Sequence, residues 1–343
     1  MPCQPLRALR PFIFAAGLVL AGQALALQAG FRQTEVPGVG TGDAPIPVAL
    51  YYPTQAAARA VAMGPFTPQV AINAPPEAQV KGLIVLSHGT GGSELGHTGL
   101  AQALAQAGYL VAALRHPGDN WQDATMLKQN PARYFDQRPR QASRVIDALL
   151  ADPQWRDRIA SDAQGPRVGA VGHSAGGYTV LALAGAQPDL GRIGAHCQAN
   201  ALAEPVFCGM SAGLPGAASA QTPTDPGSLV DKRVRAVVAL APLAVVFTPP
   251  SLASVRVPVS IYVAEKDRWL VPRFHGEWAA SLVPGADLQR VPNAWHFAFM
   301  DKPGSPIPTP DGDVGADPAG FDRAAFLQQL GQALPAFFDK AWR

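Results

Sequence analysis

Short apolar runs alternate along the chain with longer segments rich in alanine and leucine. The short runs have the length of strands and the longer segments have the length of helices. We predict strands at 46–52, 83–87, 110–114, 168–172, 234–240, 259–263 and 288–291, and helices at 97–107, 138–150, 175–186, 273–282 and 321–340. A strand precedes a helix nearly throughout, which predicts an α/β fold with a mainly parallel central sheet flanked by helices.

Two segments interrupt this alternation. Residues 188–229 are rich in Ala, Gly, Pro and Ser, and we interpret them as an insertion that forms a cap or a substrate-binding loop. Residues 303–318 consist mainly of Pro, Gly and Asp and are predicted to be a loop. The aspartates of this loop resemble a calcium loop only faintly, because no glutamate closes a twelve-residue frame. We therefore predict a solvated loop and no metal site.

Residues 1–26 have the order of a secretory signal peptide. Arg7 and Arg10 precede an apolar run from Phe12 to about Leu20, and small residues lead up to Ala26. Because this run is short for a transmembrane helix, we expect cleavage after Ala26 and an exported protein, periplasmic or secreted. An uncleaved membrane anchor is the alternative.

The composition is typical of one well-buried globular domain. The chain has 343 residues, of which 48% are hydrophobic and 15% are charged, so disordered and nucleic-acid-binding classes are disfavoured. Loss of the two arginines of the signal peptide reduces the 27 basic residues to the same number as the 25 acidic ones. We therefore expect a catalytic domain at residues 27–343 with no polyanionic partner and no stable membrane span. The oligomeric state is left open.

Cys197 and Cys208 are the two cysteines that remain when Cys3 is removed with the signal peptide. Two nearby cysteines in an exported chain most simply form a disulfide. A free pair or a metal site is the alternative, but His196 supplies only one further ligand. We predict the disulfide.

The stretch from Gly172 to Gly176 has the G-x-S-x-G spacing of a nucleophile elbow. In such an elbow a strand turns sharply into a helix, and glycines remove Cβ atoms that would clash across the turn. Ser174 is therefore the candidate nucleophile. The N–H of Ala175, at the start of the following helix, is a candidate oxyanion donor.

A second oxyanion donor is predicted in the Gly-rich loop at residues 87–92, which follows an apolar strand. Thr90 N–H is the candidate, with Gly89 as its neighbour. A phosphate-binding loop is the competing interpretation, but no Gly-Lys-Ser/Thr sequence follows. His88 and His173 are expected to support their loops by hydrogen bonding.

The acid and the base of a triad are expected after later strands, in the order Ser, Asp, His. Asp267 follows the strand at 259–263 and is the candidate acid, with Glu265 and Asp301 as alternatives. His296 follows the strand at 288–291 and is the candidate base, whereas His275 lies inside a predicted helix. Each match alone can arise by chance, but their order and their positions after strands favour a triad.

The chain resembles an α/β-hydrolase through "YYPT", "LIVLSHGTGGS", "LVAALRHPGDN", "GAVGHSAGGYT", "AEKD" and "PGADLQRVPNAWHFAF". More narrowly, it is similar to bacterial exported proteins described as predicted dienelactone hydrolases, which are related to platelet-activating-factor acetylhydrolases. The resemblance covers nearly all of the mature chain. It implies a Ser174–Asp267–His296 triad, oxyanion donors at Thr90 and Ala175, and no cofactor. True dienelactone hydrolases use a cysteine nucleophile, so the serine here favours ordinary ester hydrolysis.

The predicted function is a serine esterase that cleaves small to medium carboxylic esters through an acyl-enzyme. Tyr178, Trp269 and Trp295 are candidate pocket walls because they are close to triad residues in sequence, although packing roles explain them equally well. One alternative is a lipase, a phospholipid acetylhydrolase or a polyester hydrolase that acts on longer or bulkier esters. Another is a hydrolase fold that serves only as a binding module.

Overall fold

The computed structural model describes residue 1 and residues 26–40, 43–212 and 229–343. Nearly all of the predicted signal peptide and residues 213–228 of the predicted insertion lie outside these ranges. The strands described are β1 (Gln28–Val36), β2 (Ile46–Thr54), β3 (Arg59–Ala60), β4 (Gln69–Ile72), β5 (Leu83–Ser87), β6 (Leu110–Leu114), β7 (Ser161–Asp162), β8 (Gly165–Pro166), β9 (Val168–His173), β10 (Val234–Leu240), β11 (Val259–Ala264), β12 (Asp287–Val291), β13 (Pro308–Thr309) and β14 (Gly312–Asp313). The helices described are α1 (Thr98–Gln106), α2 (Thr125–Gln129), α3 (Pro131–Ala151), α4 (Ala175–Leu183), α5 (Gly191–Asn200), α6 (Pro205–Ala212), α7 (Pro249–Ala253), α8 (Gly276–Leu282) and α9 (Arg323–Ala341).

The central sheet has ten strands in the order β12-β11-β10-β9-β5-β6-β2-β1-β4-β3. The six strands from β12 to β6 in this order pair in parallel, whereas β2 pairs antiparallel with both β6 and β1. The predicted mainly parallel α/β fold is therefore confirmed. Parallel strands end at the same edge of a sheet, so the loops after β5, β9, β11 and β12 meet there.

Two hydrophobic cores cover the two faces of this sheet. Alternate residues of β5 belong to different cores: Leu83 and Val85 pack with α3 and α4, whereas Ile84 and Leu86 pack with α1 and α9. Strands that are buried on both faces are near-continuous apolar runs, as in the parallel strands here. Within the described ranges, no helix is long and apolar enough to cross a membrane.

Several helix boundaries differ from the prediction. The helix predicted from Arg138 begins seven residues earlier, at Pro131, because Asn130 caps it and a proline is tolerated in the first turn. The helix predicted at 273–282 is divided into a 3-10 turn, Pro272–Phe274, and α8. The β1, β3 and β4 strands and the short helix α2 were not predicted.

The described part of the insertion consists largely of α5 and α6, which follow α4 in the chain. A disulfide joins Cys197 of α5 to Cys208 of α6, with a Cα–Cα distance of 5.3 Å. The predicted disulfide is therefore confirmed. Because each helix is short, this bond and the side chains around it hold the pair together.

The Pro-, Gly- and Asp-rich loop before α9 contains the short hairpin of β13 and β14. Its aspartates are used in separate contacts. Asp311 pairs with Arg268 at 2.8 Å and Asp317 pairs with Arg323 at 2.7 Å. Asp313 accepts two backbone N–H groups of the loop, each over 2.9 Å. These carboxylates therefore hold the loop together and fix it to neighbouring elements.

Candidate active site

The turn between β9 and α4 holds Ser174 in a backbone conformation that serine rarely adopts. Its φ is 57° and its ψ is −116°, and a residue held in such a sparsely populated region costs about 1–3 kcal/mol. Its N–H donates to the Leu240 carbonyl over 2.9 Å, and its carbonyl accepts from Leu243 N–H over 3.0 Å. The end of β10 and the loop after it therefore hold the backbone of the serine in place.

Gly172 and Gly176 are required by the close approach of backbone segments around this turn. A Cβ on Gly172 would lie 2.0 Å from the Gly176 carbonyl oxygen, and a Cβ on Gly176 would lie 1.9 Å from the Ser87 carbonyl oxygen. Side chains cannot approach backbone this closely, so only glycine fits at either position. The start of α4 consequently packs directly on the end of β5.

The Gly-rich loop after β5 lies beside Ser174. A Cβ on Gly89 would lie 3.1 Å from the Ser174 Cβ. Thr90 follows Gly89, and its hydroxyl forms a 2.6 Å hydrogen bond with the Tyr134 hydroxyl. Ala175 is the first residue of α4, so its N–H has no acceptor within the helix. The two candidate oxyanion donors therefore belong to backbone segments that adjoin the serine.

A buried ion pair supports this loop. Arg138 of α3 and Asp119, both fully buried, are paired. The Arg138 guanidinium donates to the His88 carbonyl, and Asp119 Oδ1 accepts from Gly91 N–H over 2.9 Å. Burial raises the pKa of Asp119, and the positive charge of Arg138 opposes that shift. One ion pair therefore holds both sides of the loop that carries Thr90.

This ion pair is not among the residues predicted from the sequence. Two signals were present: Asp119 lies in "LVAALRHPGDN", directly after a strand, and Arg138 lies in helical register with Tyr134, Ala142 and Val145, which are buried. A charged residue on the apolar face of a helix is expected to need a buried partner.

The candidate base and acid are in direct contact. The turn after β12 holds His296, whose Nδ1 lies 2.7 Å from Asp267 Oδ2, and both side chains are buried. Asp267 Oδ1 accepts from the N–H groups of Trp269 and Leu270, each over 2.9 Å. Because an ionised carboxylate can only accept, Nδ1 carries the imidazole proton and Nε2 is left with a lone pair.

Trp269 contacts both of these residues. Its ring stacks on the His296 imidazole, with centroids 5.7 Å apart and planes 13° apart, while its backbone N–H donates to Asp267. The ring of Phe297 also packs edge-on against Trp269 at 5.4 Å. These contacts restrict the orientation of the imidazole.

Two further histidines are buried and hydrogen-bonded to backbone groups of neighbouring loops. His173 Nε2 lies 2.9 Å from the His296 carbonyl, so this nitrogen must donate. His88 Nε2 accepts from His116 N–H over 3.1 Å, and its Nδ1 therefore donates to the Gly89 carbonyl over 2.6 Å. Burial lowers the pKa of both His88 and His173 well below the usual value. Each ring thus connects a loop to its neighbour.

A cavity of about 760 Å³ is lined by Ser174, His296, Thr90 and Ala175 together. Its volume lies in the range of small-molecule sites. Most of its large lining side chains are apolar or aromatic, among them Phe66, Leu127, Phe135, Ile193, Phe207, Leu243, Trp269, Phe297 and Met300. Glu94 and Arg115 also line the cavity, and Glu94 Oε2 lies 3.4 Å from Arg115 Nε. The cavity therefore suits a mainly apolar ligand.

Of the three aromatic candidates, Trp269 lines this cavity and the other two lie elsewhere. Tyr178 is fully buried because α4 is buried on all sides, and its hydroxyl donates to the Phe135 carbonyl over 2.9 Å. Trp295 lines a separate groove of about 590 Å³ with Lys266 and Arg268. The pocket roles expected for Tyr178 and Trp295 are therefore corrected to a core position and a separate groove.

The alternative acids have other partners. Glu265 is exposed and accepts from Asn293 N–H over 2.8 Å. Asp301 accepts from Gly99 N–H, in the first turn of α1, over 2.8 Å. Burial raises the pKa of Asp301 to about 6, although the Gly99 hydrogen bond opposes this shift. Among these acids, Asp267 is the one hydrogen-bonded to His296.

Asp301→Asn is expected to change how stability depends on pH. A pKa near 6 in the folded state, against about 3.9 in the unfolded chain, means that wild type is stabilised as the pH falls from above 6 towards 4. The variant lacks this titration. Between pH 4 and pH 8 its free energy of unfolding should therefore rise by about 2 kcal/mol relative to wild type. Urea unfolding of both proteins at several pH values measures this, and a constant difference would contradict it.

The chain belongs to the alpha/beta hydrolase family, whose pattern matches residues 84–306. This range includes the Ser174 turn, Asp267 and His296. None of the curated proteins compared with the chain matches it significantly. The family membership confirms the resemblance to α/β-hydrolases and supports a hydrolase.

Solved structures with the same fold include two relatives of low sequence identity. A ferulic acid esterase from Streptomyces cinnamoneus is 21% identical, with a TM-score of 0.60 over 93% of this chain and 91% of that chain. A dienelactone hydrolase from Anabaena variabilis is 16% identical, with a TM-score of 0.51 over 92% of this chain and 99% of that chain. Both similarities extend over nearly the whole chain and support the α/β-hydrolase fold.

Proposed function

We propose that this protein is a serine esterase that cleaves carboxylic esters through an acyl-enzyme. One observation carries the proposal: the cavity that contains the strained Ser174 is also lined by His296, whose imidazole is bound to Asp267 at 2.7 Å. A hydroxyl is a weak nucleophile until an adjacent base removes its proton. Ser174, Asp267 and His296 would serve as nucleophile, orienting acid and base, and they follow the chain order Ser, Asp, His that is typical of such hydrolases.

In the proposed reaction, Ser174 Oγ attacks the ester carbonyl and His296 Nε2 takes its proton. The Asp267 carboxylate stabilises the imidazolium and keeps the proton on Nδ1. His296 then returns the proton to the departing alcohol, which leaves an ester between Ser174 and the acyl group. Water attacks this acyl-enzyme with His296 as base, and the acid is released.

We assign the stabilisation of the negative charge that develops on the carbonyl oxygen to the N–H groups of Thr90 and Ala175. Such donors accelerate acyl transfer because they are already oriented when the charge develops. The Arg138–Asp119 ion pair supports this role because it holds the loop on both sides of Thr90. Ala175 N–H is held by α4 itself.

The cavity favours small to medium esters with an apolar or aromatic group. Its volume of about 760 Å³ accommodates such a group beside Ser174. Two exposed residues on its lining favour the alternative of longer or bulkier esters, including lipid and polyester substrates. Trp121 is 67% exposed and Met210 is 41% exposed, so a long substrate that extends out of the cavity would contact them.

A series of p-nitrophenyl esters from acetate to palmitate tests the function and separates these substrate classes. We expect kcat/KM to be highest for acyl groups of about two to eight carbons, because these fit within the cavity. A maximum at palmitate would favour the lipase-like alternative. A protein that hydrolyses none of the series would contradict the proposed esterase and favour a binding module.

We further propose that the protein is exported. The Cys197–Cys208 disulfide supports this location, because disulfides persist in oxidising compartments and are rare in the cytosol. The signal peptide predicted from the sequence supports the same location. Mass determination of the protein recovered from the periplasm or the medium would show whether cleavage occurs after Ala26.

A further inference from the structure

One acidic side chain in the insertion is completely buried. Glu204 lies between α5 and α6, directly before the proline that begins α6, and it is 0% exposed. A buried carboxylate is costly unless hydrogen-bond donors surround it. Its partners therefore show what this part of the insertion is attached to.

The carboxylate of Glu204 contacts three segments of the chain. Oε2 lies 2.6 Å from His196 Nε2, on α5. Oε1 accepts from Val271 N–H over 2.6 Å and lies 3.0 Å from His275 Nε2. His275 Nδ1 accepts from Ala244 N–H over 3.1 Å, so the ring proton is on Nε2, the nitrogen that lies 3.0 Å from Glu204.

Two of these segments carry the candidate active site. Val271 follows Asp267, Trp269 and Leu270 in one short loop, in which the Asp267 carboxylate binds two backbone N–H groups. Ala244 follows Leu243, whose N–H donates to the Ser174 carbonyl. Glu204 therefore links the insertion to the loop of the acid and, through His275, to the loop that supports the nucleophile.

The charge of Glu204 is favoured by this arrangement. Burial by itself would raise its pKa, but the hydrogen bonds from His275, Val271 N–H and His196 outweigh burial and hold the pKa below the usual value. An ionised carboxylate accepts at both oxygens, so it can hold α5 and the Asp267 loop at the same time.

The insertion forms one wall of the cavity. Ile193 of α5 and Phe207, Met210 and Ser211 of α6 all line it. Phe207 follows Glu204 by three residues, and its ring also packs against His275 with centroids 5.2 Å apart. A change at Glu204 would therefore move this wall relative to His296 and Asp267.

We propose that Glu204 is a positioning residue: it fixes the insertion wall of the cavity relative to the Asp267 loop and thereby limits the length of acyl group that the cavity accepts. This proposal rests on the proposed esterase function. A purely structural residue would affect stability and leave the preference among esters unchanged, so the two roles give different results.

Glu204→Gln is the variant that tests it, because glutamine keeps the shape of the side chain and removes the charge. We expect the ratio of kcat/KM for p-nitrophenyl dodecanoate to that for the butyrate to rise about tenfold, mainly through a lower KM for dodecanoate, since a looser wall admits the longer chain. His196→Ala removes one partner of the carboxylate and should shift the ratio in the same direction by a smaller factor.

Asp231→Asn is the matched control. Asp231, like Glu204, is a buried carboxylate, and its partner is Arg233 at 2.7 Å. It lies just before β10, at the amino end of that strand and away from the cavity. This variant is expected to lose stability and to keep the wild-type ratio.

If Glu204→Gln and His196→Ala are both active and both keep the wild-type ratio of kcat/KM for the two esters, the proposal is overturned. Glu204 would then have a structural role only. If Glu204→Gln does not fold, the ratio for His196→Ala decides. Wild type that hydrolyses no ester would refute the proposed function itself, and this inference with it. An equal shift in Asp231→Asn would show that general destabilisation, and not Glu204, changes the preference.

Discussion

Replacement of Ser174 by alanine is expected to lower kcat for ester hydrolysis by about 10⁵-fold, without loss of the fold. The variant removes the only atom that forms the covalent bond in the proposed reaction. Serine already adopts a φ of 57° here with its Cβ in place, and alanine carries the same Cβ, so the turn itself should persist. Steady-state hydrolysis of p-nitrophenyl butyrate and the thermal midpoint of both proteins measure the two effects.

Ser254→Ala is the control for this variant. The Ser254 hydroxyl donates to the Ser251 carbonyl over 2.7 Å, at the end of α7 and apart from the residues that line the cavity. Its activity should remain near that of wild type. A Ser174→Ala protein that keeps more than about one tenth of wild-type activity would show that another residue is the nucleophile.

Asp267→Asn is expected to lower kcat by about 10⁴-fold through a change of tautomer. The asparagine oxygen would continue to accept from Trp269 and Leu270 N–H, which leaves its NH₂ group facing His296 Nδ1. Nδ1 must then accept, so the ring proton moves to Nε2. A protonated Nε2 cannot take the proton of Ser174.

The measurement is again steady-state hydrolysis, with Asp287→Asn as the control. Asp287 is exposed at the start of β12 and accepts from the Ser260 hydroxyl over 3.2 Å. Its replacement should leave kcat nearly unchanged. If Asp267→Asn lowers kcat less than about tenfold, the acid is a different residue, or His296 is not the base.

Most of the parallel half of the sheet could be predicted because its inner strands are short, mainly apolar runs. Strands β5, β6 and β10 have the predicted bounds. The antiparallel part was harder, because β1 reads "QAGFRQTEV" and has three adjacent exposed polar residues, which hide the alternation of a strand. The strand forms through its pairing with β2 and β4, although its local sequence pattern does not predict a strand.

The insertion was recognised as a segment but not as a helix pair. In α5 only Ile193 is buried, so no apolar face marks this helix in the sequence. The disulfide and the hydrogen bond between Glu204 and His196 stabilise it, and both contacts form only in the folded chain. Local periodicity cannot report such contacts.

In the candidate site, too, residues marked by a local sequence pattern could be predicted, whereas those that depend on tertiary contacts could not. Ser174, Asp267 and His296 could be chosen from sequence because each lies after a strand that ends at the same edge of the sheet. The ion pair of Arg138 with Asp119 joins residues on α3 and on the loop after β6. Asp119 follows a strand and Arg138 lies on the apolar face of a helix, but neither signal identifies the other residue as its partner.

The proposed esterase activity requires that Ser174 is an activated nucleophile. Treatment with a fluorophosphonate ester, followed by intact mass measurement and peptide mapping, tests it most directly, because such reagents phosphonylate a serine activated by an adjacent base. We expect one adduct per chain on Ser174, loss of ester hydrolysis in proportion to labelling, and no adduct in Ser174→Ala. An active protein that remains unlabelled, or one labelled on another residue as activity falls, would contradict the claim.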